Sequence, residues 1–383
     1  MSPVTRAHSG IMRLFGHVDP FLLAAAFGMS LLGLATMRSF SAENFFFEQQ
    51  VIWIAIALVV FLGASLPDYS FLRTTSIATV VYGALLLLLT LVLAAGSLVL
   101  GATTRFDLGL FAVQPSDPTK LVLAAVLAKY FARRHIEIAH IKHILVSGTY
   151  AFLAFALIFL QPDLGSAITV FSIWLGLTLV AGLSWKHLAV LFVTGAIVCS
   201  GLWITVLKPY QKARIITFVN PMTDIRGAGY NAYQSTVAVG SGELLGKGVG
   251  YGTQSKLQFL PEFQTDFIFA AYAEEWGFAG VVLLFGLYAV VILRTLSIAA
   301  HADDNFSRLF VTGIALYFMA QFTVHAGMDM GLLPITGITL PFMSYGGSHL
   351  LTEYFALGIV MSMRRSRSIA GIRTEHTEFV GPV

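Results

Sequence analysis

Charge is what this chain has least of. Only 11% of its 383 residues are Asp, Glu, Lys or Arg, whereas 57% are hydrophobic and the mean hydropathy is +0.79. Such a composition excludes an ordinary soluble domain, in which about a quarter of residues are charged. Cysteine is nearly missing too: Cys199 stands alone inside an apolar run, so no intrachain disulfide can form, and it reads as a small packing residue. No nucleic-acid patch accompanies the net charge of +3. The glycine-rich GSGELLGKGVGYG, Gly240 to Gly252, has no Ser or Thr after Lys247 and lacks the nucleotide phosphate-loop order, so it reads as a flexible, turn-rich loop. There is no low-complexity tail, and no internal repeat of the kind that builds many transporters.

What is present is a series of apolar stretches. They run Pro20 to Met37, Val51 to Leu66, Ile77 to Leu100, Thr119 to Phe131, Ile144 to Leu160, Ala167 to Ala181, Leu188 to Leu207, Asp266 to Leu293, Leu309 to His325 and Leu350 to Met363. A bilayer core needs about 20 apolar residues per helix, so the pattern predicts an all-α, polytopic membrane protein of about ten transmembrane helices. The fourth and last runs are short and must be completed by polar turns buried in protein. Arg6 and Arg13 precede the first run as in a signal peptide, but the nine further spans favour a retained helix. Placing the N-terminus inside puts Arg73, Arg133, Arg134, Lys142, Lys186, Arg294, Arg308, Arg364, Arg365 and Arg367 in the cytoplasm. Both termini are then cytoplasmic: an N-terminal segment 1–19, a transmembrane domain 20–363 and a tail 364–383. One long extracytoplasmic loop, 208–265, joins helices 7 and 8 and is the sole candidate for a distinct surface module.

The outer side carries Arg105, Lys120, Lys208, Lys212, Arg214, Arg226, Lys247 and Lys256, against the positive-inside bias. Long hydrated loops escape that bias, and Lys247 reads as such a loop cation; Arg105 and Lys120 do not. Cations there suit an anionic, lipid-linked phosphate. QPSDPTK, Gln114 to Lys120, sets Asp117 and Lys120 on one helical face, as a local ion pair or a functional one. In SYGGSHL, Ser344, Gly346, Gly347 and Ser348 lead into the last helix as a candidate substrate-binding anion site, with a plain cap at Ser348 as the alternative. FLPEFQTDFIF places Asp266 at the lip of an apolar helix whose near face is small: Ala270, Ala273, Gly277, Gly280. That face admits a neighbouring helix, or a slot for an isoprenoid chain. Glu274 and Glu275 lie deeper and require polar partners. Glu243 and Glu262 read as solvated loop charges rather than metal ligands.

QPSDPTK, QPDLGS (Gln161 to Ser166), FVNPMTDIRGAGYNAYQS (Phe218 to Ser235), GSGELLGKG, GTQSKLQFLPEFQTDFIFAAYAEEWGF and GLLPITGITLPFMSYGGS keep their order along the chain. Together they resemble the successive signatures of the shape, elongation, division and sporulation (SEDS) family. AEEWGF resembles its rod-shape branch more than its division branch. The resemblance implies a peptidoglycan glycosyltransferase of the bacterial cytoplasmic (inner) membrane that polymerises lipid II at the outer face during cell elongation. A class B penicillin-binding protein is implied as transpeptidase partner, together with other elongation-complex proteins and membrane lipid. Asp266 matches the essential acidic position, Asp117 and Lys120 the paired positions, and Arg105 and Arg214 the outer basic positions. The family usually has Glu where Asp117 stands, His where Gln264 stands, and Asn at the positions of His325 and Glu353. The last two changes raise the expectation that His325 and Glu353 meet.

The chemistry such a reaction needs agrees. An acceptor hydroxyl must lose its proton, for which one carboxylate, Asp266, suffices as general base. The diphosphate leaves as an anion, stabilised by Arg105, Lys120, Arg214 or a divalent cation (Mg2+ or Mn2+), with no organic cofactor. A lipid II flippase and a scaffold for wall enzymes are the competing readings. The first requires charged residues along a path to the cytoplasm, and the second leaves the dense motifs of the outer face without a task.

Overall fold

The computed structural model describes residues 18–40, 45–95, 106–107, 112–133, 141–205, 212, 216–220, 228–257 and 259–377. Apart from a two-residue antiparallel ladder, β1 (Phe106–Asp107) with β2 (Ala112–Val113), the described secondary structure is helical. Long helices are α1 (Pro20–Phe40), α2 (Phe45–Ser65), α4 (Ile77–Ala95), α5 (Ser116–Ala132), α6 (Ile141–Leu160), α7 (Leu164–Val180), α8 (Trp185–Thr205), α11 (Ile268–Ala300), α12 (Asn305–Asp329) and α13 (Gly347–Thr377). Shorter ones are α3 (Phe71–Thr74), α9 (Ala228–Ser241) and α10 (Thr253–Lys256). Among the described residues, six helices, α1, α2, α4, α6, α11 and α12, are long and apolar enough to cross a membrane.

In a membrane the apolar solvent removes the usual reason to hide apolar side chains, so what matters is which helices hide polar ones. Helices α5 and α12 hold the centre: α12 packs on α5, α7 and α11, and α13 lies against α2. The short apolar run of α5 is completed by Ser116, Asp117, Thr119 and Lys120, all buried. The same holds for α13, whose first turns bury His349, Thr352 and Glu353.

Helix α11 is broken at Gly277, which takes φ 64°, ψ −165°, a backbone that L side chains avoid. The loop after α9 fills the break. Phe278 and Ala279 donate to the carbonyls of Glu243 and Leu244 at 2.8 and 3.0 Å, and Lys247 and Gly248 donate to those of Glu274 and Glu275 at 3.0 Å each. Irregular backbone at this depth is tolerated only when protein satisfies it in this way. The loop expected to be flexible is therefore a fixed part of the bundle. With α9 packed on α11 and α12, part of the long 208–265 connection is built into the helices rather than standing as a separate module.

Candidate functional site

Four motifs far apart in sequence meet at one end of the bundle. Ser344 donates its hydroxyl to the Thr265 carbonyl at 2.8 Å, and the Tyr345 amide donates to the Gln264 carbonyl at 2.8 Å. From α2, Gln50 grips the same segment, donating to the Ser344 carbonyl at 3.1 Å and accepting from the Gly346 amide at 3.2 Å. A Cβ on Gly347 would lie 2.5 Å from the Trp53 ring, so only glycine fits there. Ser348 accepts the Gln114 amide at 3.1 Å, and the Gln114 side chain donates to Asp163 Oδ2 at 3.2 Å. Asp163 in turn caps α7 through Ser166 at 2.9 Å. Ser348 thus ties α13 to the QPSDPTK segment, a correction to its reading as a cap of its own helix.

Asp266 sits in the partly exposed turn just before α11. Facing it is Gly337, at φ 68°, where an added Cβ would come within 3.2 Å of Asp266 Oδ2. A second carboxylate, Asp329 at the end of α12, is buried and senses the charge of Asp266. Its Oδ2 accepts the Ala270 amide at 3.0 Å and lies 3.5 Å from His325 Nε2, and its carbonyl accepts Ser235 Oγ at 2.8 Å. His325 donates through Nδ1 to the Ile338 carbonyl at 2.6 Å. The Asp329 and His325 pair therefore fixes both the first turn of α11 and the segment opposite Asp266.

Lys120 Nζ and Asp117 Oδ1 are 3.1 Å apart, with both side chains buried. Lys120 also stands 5.9 Å from the centre of the Tyr317 ring. Glu353 Oε2 accepts the Phe342 amide at 2.7 Å, and His349 donates to the Ser344 carbonyl at 3.0 Å. Both feel the charges of Asp117 and Lys120. Asp117 Oδ2, Glu353 Oε1, the Tyr317 hydroxyl and both amide atoms of Gln321 are buried without a partner among the described residues. Buried polar atoms are normally satisfied, so this interior suits water or the polar part of a ligand. His325 and Glu353 do not pair as expected: each instead holds one end of the 338–342 segment, through Ile338 and Phe342.

The small face of α11 is filled by protein, in part by the neighbouring helix that was one of the two expectations and in part by a loop. A Cβ on Gly242 would meet the Ala273 carbonyl at 2.1 Å, and one on Gly246 the Glu275 carbonyl at 2.0 Å. Loop backbone covers Ala273 and Gly277, and Ala238 of α9 packs with Ala270, so protein occupies the place of a lipid slot. Glu274, fully buried, accepts from Lys247 Nζ at 2.7 Å, from the Thr253 amide at 2.9 Å and hydroxyl at 3.0 Å, and from the Gln254 amide at 3.1 Å. Lys247 is accordingly no hydrated loop cation. Glu274→Ala should free residues 242–254 and cost on the order of 3 kcal/mol, since a buried ion pair would lose one partner. Hydrogen exchange confined to that loop, with thermal unfolding in detergent, checks both parts.

Arg105 and Arg214 lie outside the described residues. Glu243 and Glu262 are exposed, and no group of three His, Cys, Asp or Glu side chains able to hold a metal occurs among the described residues. Asp329, His349 and Gln50 were missed in the sequence. An ionisable residue ending a long apolar helix, as in GMDMG, was the available signal for Asp329.

Residues 14–369 match the family model of the FtsW, RodA and SpoVE cell cycle proteins. The peptidoglycan glycosyltransferase MrdB of Escherichia coli K12 is 36% identical over 355 residues, covering 92% of this chain and 95% of its own. Among solved structures, a chain from a peptidoglycan synthase complex, described for its coordination of polymerization and crosslinking, superposes with TM-score 0.79 at 31% identity, covering 91% of this chain and 98% of its own. The rod shape determining protein RodA of Thermus thermophilus gives TM-score 0.69 at 29% identity, covering 91% and 97% respectively.

Proposed function

The chain belongs to the FtsW, RodA and SpoVE family of cell cycle proteins, and from that premise we propose that it is a RodA-type peptidoglycan glycosyltransferase of the cytoplasmic membrane. Its substrate is lipid II, polymerised into glycan strands at the outer face during cell elongation. It crosses the membrane about ten times with both termini inside, and it works beside a class B penicillin-binding protein. The observation that carries the reading is Asp266, a partly exposed carboxylate next to Thr265, whose carbonyl Ser344 holds, with His349 on the Ser344 carbonyl and within the field of the buried Asp117 and Lys120 pair.

In this reading Asp266 takes the proton of the acceptor hydroxyl as it attacks the anomeric carbon of the donor sugar. The bond from that carbon to diphosphate breaks on the opposite face, so the α linkage becomes β. Lys120, with Arg105 and Arg214, offsets the charge on the departing diphosphate, and the Ser344 to Ser348 segment holds the substrate. Asp266 is the residue that would hold a divalent cation, since Mg2+ is commonly held by one or two carboxylates plus substrate phosphate, and the ion would supply charge neutralisation for the leaving group. Labelled lipid II given to the purified protein alone tests the reading. Glycan polymer is the expected product; transbilayer movement of lipid II without polymer would overturn it.

A further inference from the structure

At the far end of the bundle, roughly 40 Å along α11 from Asp266 by helical rise, stands a different charged cluster. Asp19 is only 1% exposed, and its two oxygens have separate tasks. Oδ1 accepts the amides of Phe21 and Leu22 at 3.1 Å each, opening α1. Oδ2 takes Arg294 through Nε at 3.0 Å and through Nη2, and Arg364 Nη1 lies 3.2 Å from the same oxygen. Two guanidiniums share one carboxylate, leaving one positive charge in excess. Burial pushes the Asp19 carboxyl up, but the Arg294 hydrogen bond, the Leu22 amide and the two guanidinium charges outweigh it and hold the group below the ordinary carboxylate value. Asp19 is therefore an anion at neutral pH, and the excess charge is real.

Both arginines open onto a cavity of about 180 Å³ between α1, α11, α12 and α13. Ser297 and His301 line it beside them, and Ile298, Val311 and Met363 give it an apolar wall. One water needs only about 10–15 Å³, so the space admits a larger guest. Among the described residues, Asp19 is the only carboxylate in its lining. The two arginines offer further N–H groups that donate to no acceptor among the described residues. Basic residues scattered over a cytoplasmic face need no ligand. A cavity walled by four helices, in which two arginines outnumber the one carboxylate, is a different arrangement.

We propose that this cavity binds a singly charged phosphate group, with Arg294 and Arg364 on its oxygens and Ile298, Val311 and Met363 against the carbon atoms of an ester. Phosphatidylglycerol of the inner leaflet carries that chemistry in full, and soluble inorganic phosphate carries its anionic part. The site is independent of the glycan chemistry proposed at Asp266.

Full-length protein, stripped of lipid in detergent, is titrated with phosphatidylglycerol, phosphatidylcholine or inorganic phosphate, and bound molecules are counted by native mass spectrometry. Phosphatidylglycerol is expected to bind at least about tenfold tighter than phosphatidylcholine, and Arg364→Gln to lose at least about tenfold of that affinity. This change leaves the Arg294 and Asp19 pair intact. Ser297→Phe fills the cavity without altering charge and should abolish binding with thermal unfolding unchanged. Binding of inorganic phosphate with no preference for the lipid would support the anion site and assign it to the soluble ion. Equal binding of the two lipids without phosphate binding, or undiminished binding by both variants, would overturn the proposal.

Discussion

Asp266→Asn should insert and melt like the parent protein yet polymerise lipid II at least about a hundredfold more slowly. The substitution keeps the shape of the side chain while removing its negative charge and its capacity to take a proton. Structural damage is not expected, because Asp266 lies in a partly exposed turn whose backbone is held independently, its own amide donating to the Glu262 carbonyl at 3.0 Å. Nor is Asp329 a ready replacement for it. Asp329 is buried and already engaged by the Ala270 amide and by His325. Glycan product from labelled lipid II, measured beside thermal unfolding in the same detergent, checks the expectation. Near-normal polymerisation by the asparagine variant would remove Asp266 from the chemistry.

How far this arrangement could be read in advance depended on the range of the interactions involved. A helix underlies each of the ten apolar stretches, because length and continuous hydrophobicity are local properties. The pairing of Asp117 with Lys120 was equally local, three residues apart on one face. Contacts made across the chain were not legible. Glycines of the α11 face pointed to close approach but not to what approaches, and backbone some 30 residues earlier, Gly242 to Gly248, is the partner. His325 was matched to Glu353 by complementary charge, although Asp329, four residues on and so on the same helical face, was the nearer candidate by spacing alone. Ser348 was judged within its own helix, where a cap is the usual task, whereas its acceptor role is set by Gln114, 234 positions away. Arrangement of motifs in space, rather than their presence, is what the sequence withheld.

Lys120→Ala should lower polymerisation by about a hundredfold, the scale expected for removing one charged group that stabilises a transition state. The single change also leaves Asp117 buried without its cation, which costs about 3–5 kcal/mol, so lost activity alone would not separate catalysis from folding. The pair Asp117→Leu with Lys120→Met separates them. Replacing both members of a buried ion pair by apolar side chains of similar size is often neutral for stability, so this double variant should recover the melting temperature of the parent. Its glycan synthesis should nevertheless stay as low as that of Lys120→Ala, because the Lys120 charge beside Tyr317 and Glu353 is gone. Lys256→Ala, which removes an exposed cation at the end of the short helix α10, serves as the control and should polymerise normally. Recovery of both melting temperature and polymerisation in the double variant would show that the ion pair only holds the start of α5 in place. Recovery of stability without activity assigns the Lys120 charge to the diphosphate.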